Sequence, residues 1–95
     1  MKKATVTVAA RGRKNKLVLQ KMPYNAKFAD QSFRVFTAKG EPVGEIIQDD
    51  NGEVFAHRAS KRTDADDFQV TERVFPRKSL DSALVLAARW ASYKH

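Results

Sequence analysis

The chain has 95 residues, of which 42% are apolar and 31% charged, with no cysteine and a net charge of +7. This length makes one domain that buries roughly two-thirds of its unfolded surface, and the composition excludes wholesale disorder. The lack of cysteine excludes a disulfide framework, a thiolate nucleophile and a Cys-based zinc site, and no apolar run approaches the roughly 20 residues of a membrane span or supplies a signal peptide, so the chain reads as cytoplasmic with no membrane partner.

Thr5-Val6-Thr7-Val8 alternates and predicts a first strand. Arg11-Gly12-Arg13-Lys14-Asn15 supplies Gly and Asn for a turn, and Lys16–Gln20 predicts a second strand, giving a hairpin with a cationic tip. Met22-Pro23-Tyr24-Asn25 breaks the pattern. Ser32–Ala38 predicts a third strand, with Phe33 and Val35 on one face and Arg34 and Phe36 on the other. After a Lys39–Pro42 turn, Val43–Gln48 predicts the fourth strand, anchored by Ile46 and Ile47. Asn51-Gly52 predicts a two-residue type I′ turn into a fifth strand, Glu53–Ala59.

Ser60–Asp67 is polar and reads as a loop. Phe68–Val74 alternates, with Phe68, Val70 and Val74 on the apolar side, so it predicts a half-buried last strand. Glu72 falls on that apolar side, which is expected only near a strand end or at an edge. Phe75-Pro76-Arg77-Lys78 then leads to Ser79, an N-cap with Asp81 in the first turn. Leu80, Ala83, Leu84, Ala87 and Ala91 define the buried stripe of a C-terminal helix, with Leu86, Trp90 and Tyr93 as a second stripe beside it and Lys94 at its end. The expected fold is α+β: an antiparallel sheet of five to six strands, with the single C-terminal helix packed on one face and the other face open for binding.

Catalytic and metal chemistry find little support. The histidines are His57, inside a predicted strand, and His95, without further ligands at supporting spacing. Asp64, Asp66 and Asp67 lack the Gly and Glu of a calcium loop, and Asp49-Asp50 is explained by turn preference. No G-x-G-x-x-G or phosphate loop occurs, and Ser60, Ser79 and Ser82 have no His partner. The expectation is a protein that is not an enzyme and uses no cofactor or metal.

Charge placement carries more information. Residues 1–29 contain Lys2, Lys3, Arg11, Arg13, Lys14, Lys16, Lys21 and Lys27 and no acid, the first carboxylate being Asp30. From there onward ten Lys or Arg face eleven Asp or Glu, so the whole excess belongs to the basic N-terminal hairpin or arm of 1–29, and 30–95 supplies the rest of the single domain. Such asymmetry suggests a polyanionic partner, and a solvated cationic face is the alternative. Arg11, Arg13, Lys14 and Lys16 fall on the predicted tip, where Arg offers bidentate and Lys mobile contact to phosphate. Tyr24 and Phe28 among Lys21 and Lys27 suit base stacking or core packing. Arg58, Lys61 and Arg62 add phosphate contacts if they lie on the same side. The expected function is nucleic-acid binding, to DNA or RNA. The alternative is a protein-interaction module, such as a phage or plasmid accessory protein or inhibitor that docks on an acidic protein surface.

Residues 32–93 read as three strands followed by a helix. In topology this is similar to the AP2-type DNA-binding arrangement, in which a three-stranded sheet reads the major groove with a helix packed behind it. The resemblance covers about two-thirds of the chain and is one of order only. The family's Arg- and Trp-rich strand motifs are absent, the corresponding strands carrying Phe33, Arg34, Val35 and Val54, Phe55, Ala56.

Overall fold

Six strands follow one another in a meander and a single helix closes over one face. The computed structural model describes residues 3–21, 32–49, 51–61, 63–64 and 66–93. The strands are β1 (Lys3–Ala10), β2 (Arg13–Lys21), β3 (Phe33–Thr37), β4 (Pro42–Gln48), β5 (Val54–Ala59) and β6 (Val70–Arg77), and the helix is α1 (Leu80–Ser92). The sheet order is β1-β2-β3-β4-β5-β6 with every pair antiparallel, the α+β architecture the hairpin signals predict. The basic hairpin is an integral part of the sheet, since Leu17–Lys21 pairs with Thr37–Phe33. Four strands precede α1 in residues 32–93, one more than the AP2-type order contains, so that likeness does not extend to the strand count.

Alternation along each strand sorts the side chains. Leu17, Leu19, Val35, Ile46, Val54 and Ala56 point to one face and are buried there with Ala83, Leu86, Ala87, Ala88 and Trp90 of α1. The buried helical face is thus centred between the two predicted stripes: Leu86 and Trp90 join the alanines, while Leu80, Leu84 and Ala91 flank them half-buried. Alanines let the helix approach the sheet closely, and Gly44 of β4 completes the fit beneath Trp90. Ser79 caps α1, its Oγ accepting from the Ser82 amide while the Ser82 Oγ accepts from the Ser79 amide.

Several boundaries differ from the sequence reading for identifiable reasons. The first turn contracts to Arg11-Gly12, with φ of 54° and 73°, so β2 begins at Arg13 rather than Lys16. These two positive φ values match a type I′ turn, which was expected at Asn51-Gly52. There, among the described residues, only Gly52 is left-handed; the Asp49 carboxylate accepts the Asn51 and Glu53 amides, so the side chain supplies a longer turn. The predicted last strand, Phe68–Val74, is shifted to Val70–Arg77. Its helix-facing anchor is Phe75, which packs edge-on against Trp90 at 5.3 Å. Pro76 continues this strand because β6 is an edge and needs no outward donor there. Glu72 is accordingly solvated at the edge. Val74, expected to be half-buried, pairs with His57 on the face away from α1 and is 46% exposed.

Candidate nucleic-acid interface

Antiparallel order places alternate connections at the same end of a sheet. The β1–β2 turn, the β3–β4 turn, the β5–β6 loop and the C-terminal end of α1 therefore meet at one end. The three connections bring cations. Arg11, Arg13 and Lys14 come from the first hairpin, Lys39 from the second, and Arg58 and Lys61 from the end of β5 and the loop after it.

Tyr93 ties this end together. It stands just beyond α1 with an extended backbone (φ −76°, ψ 135°), so the helical period no longer governs its direction. Trp90 is 5% exposed, as packing predicts, whereas Tyr93 is 45% exposed. The Arg11 guanidinium carbon lies 4.8 Å from the Tyr93 ring centre and that of Arg58 lies 5.4 Å from it. Two cationic runs separated by about half of the chain thus converge on one aromatic ring. A groove of about 370 Å3 runs beside it, between the β3–β4 turn and the β5–β6 loop, with Lys39, Arg58, Lys61 and Tyr93 on its walls. Glu41 and Asp64 also line it, so the groove is mixed in charge while the hairpin tip is wholly basic.

The loop that frames this end is built by its own polar groups. The Ser60 amide donates to the Gln69 carbonyl, and the Thr63 hydroxyl reaches both Ser60 Oγ and that same carbonyl. Asp64 accepts the Asp66 and Asp67 amides, the turn role expected of a solvated loop. Among the described residues no group of three or more His, Cys, Asp or Glu side chains is placed to hold a metal, and no helix is long and apolar enough to cross a membrane.

The predicted cationic set is divided by the fold. Arg11, Arg13, Lys14, Arg58 and Lys61 share the loop end. Lys14 and Lys16 pair with Ala9 and Thr7 and project from the face away from α1, whereas Arg13 alternates to the helix side. Lys21 pairs with Phe33 at the opposite end of β2, about 27 Å from Arg13 at strand rise. Lys27 and Arg62 lie outside the described residues, as do Tyr24, Phe28, the Met22–Asn25 break, Lys94 and His95. Lys39 and Tyr93 were not selected from sequence. Lys39 is signalled only by the turn in which it stands, and Tyr93 by its helical spacing from Trp90, which fits an aromatic platform but more often packing against the sheet.

The open face is less suited to the role expected of it. Phe68, predicted to lie in a strand, instead folds from the loop onto this face and meets Phe36 edge-on at 5.4 Å, with the Arg34 guanidinium 4.9 Å from its ring centre. Arg34 also pairs with Glu45 across β3 and β4 at 3.3 Å. His57 sits next to Glu45 in the register, an ordinary strand position with its Nδ1 buried.

Comparison with protein-family models, curated proteins and solved structures finds no match to this chain.

Proposed function

We propose that the protein binds nucleic acid, DNA or RNA, by contacting phosphates with the loop end of its sheet. The convergence of Arg11 and Arg58 on Tyr93 carries this reading, because it joins the basic hairpin to the second cationic run in one surface. Guanidinium groups fit phosphate bidentately, and lysines at the rim add mobile charge. The sheet and α1 serve as the scaffold that holds three connections together.

If Arg11, Arg13, Lys14, Lys39, Arg58 and Lys61 all engage, log K falls with log salt at a slope of about −5 on duplex and about −4 on a single strand. The test is a titration of labelled single- and double-stranded DNA and RNA at two salt concentrations. It runs beside a variant with Arg11, Arg13, Lys14 and Arg58 changed to Ala. Salt-sensitive binding that the variant loses supports the reading. No binding by the wild type at low salt removes it and favours an acidic protein surface as the partner of the same cations.

A further inference from the structure

The two edges of the sheet are built differently. β6 carries Pro76, an irregular register between His57 and Ala59, and the exposed charges of Glu72 and Arg73. These features discourage another strand from pairing there. β1 has none of them. Its eight residues run in unbroken register from Lys3 opposite Gln20 to Ala10 opposite Arg13, with Lys3 as its one charge.

Hydrogen-bond geometry decides which groups this edge presents. A two-residue turn is closed by a hydrogen-bonded pair, here Ala10 and Arg13. Antiparallel ladders alternate, so Val8, Val6 and Ala4 also bond towards β2. The N–H and C=O groups of Lys3, Thr5, Thr7 and Ala9 therefore face outward along β1.

We infer that this edge pairs with the same edge of a second copy of the chain. The outward residues are self-complementary about a two-fold axis at Val6. In that register Lys3 meets Ala9 of the second copy and Thr5 meets Thr7, so all four outward residues find a hydrogen-bonding partner. No like charges oppose one another, since Lys3 faces an alanine. Thr5 and Thr7 form a threonine ladder on the open face, and the half-buried Val6 meets its own copy on the helix side. The product is one continuous twelve-stranded sheet with both helices on one face.

The absence of native cysteine makes the register directly measurable. Val6 opposite its copy is a non-hydrogen-bonded pair with Cα atoms about 4.5 Å apart, within disulfide range. Mild oxidation of Val6→Cys is expected to give a covalent dimer in high yield, whereas Val8→Cys, opposite Ala4, gives little. Sedimentation of the wild type is expected to show mass rising with concentration from 10.7 kDa towards twice that value. The Thr5→Lys/Thr7→Lys variant sets lysines against one another in the dimer and is expected to stay monomeric; because position 7 also faces Lys16 within the chain, circular dichroism checks that the variant is folded. A wild type that is monomeric at millimolar concentration overturns the inference. So does a dimer that survives the double lysine variant, or one that Val8→Cys traps as readily as Val6→Cys.

Discussion

Arg11 and Tyr93 stack at 4.8 Å, and Arg11 reaches the ring from a left-handed backbone position with φ of 54°. A residue with a Cβ is strained there by roughly 1–2 kcal/mol, while a cation–π contact at an exposed site returns roughly 0.5–1 kcal/mol. Arg11→Ala keeps the strain and loses the stack, so it is expected to be the least stable variant at this position. Arg11→Gly removes both and should exceed Ala by about 1 kcal/mol in urea denaturation. Both variants lose the same cation, so both are expected to weaken nucleic-acid binding equally. A binding difference that followed stability would mean that Arg11 acts only through the turn.

Gly44 lies where β4 packs tightly beneath Trp90 of α1. A Cβ there would clash with the His57 carbonyl oxygen and lie 3.1 Å from Trp90 Cζ3. The indole can shift, but the carbonyl belongs to the neighbouring strand and cannot. Gly44→Ala is therefore expected to cost about 3 kcal/mol, read by thermal or urea unfolding. Adding Trp90→Leu should not restore it, because the tighter contact is with backbone.

Lys21 and Lys61 are both candidates from sequence, and the fold separates them. Lys21 belongs to the basic segment but lies at the far end of β2, whereas Lys61 follows a distant strand and lines the groove. Lys61→Ala, and Lys39→Ala beside it, are each expected to lower the salt slope by about 1 and weaken binding severalfold. Lys21→Ala should leave affinity within about twofold under the same conditions. A larger loss at Lys21 than at Lys61 would return the site to the N-terminal segment as a whole.

Phe68 pins the β5–β6 loop to the open face through Phe36 and Arg34. Phe68→Ala is expected to cost about 1–2 kcal/mol, the edge-to-face contact plus partial burial. Hydrogen exchange should rise at the Ser60 and Thr63 amides, which close the loop. Protection unchanged at those amides would mean that the polar contacts alone hold the loop.

The strands and helix were readable because their apolar periods and turn residues agree: Val6 and Val8, Phe33 and Val35, and the Ser79 cap each point to the observed element. The last strand was misplaced because Phe68 and Val70 continue its alternation on the solvent side. The true anchor, Phe75, falls in the segment that reads as the lead-in to the helix, before a proline that an edge strand accepts. The two turns exchanged character because Asp49 builds its turn with a carboxylate, a choice that Asn-Gly does not reveal. The cations of the hairpin tip were visible as a run. Their union with Arg58 depends on strand order, and the role of Tyr93 depends on the helix ending one residue before it.

The meander also sets an order of assembly during synthesis. Each strand pairs with the one made just before it, so the sheet can grow hairpin by hairpin from local contacts that form quickly. The exception is α1, which packs against β1 as well as β4, β5 and β6. Until α1 emerges, Val6, Val8, Leu17 and Leu19 have no cover on the helix side, and the nascent sheet presents an apolar face bordered by the most basic part of the chain.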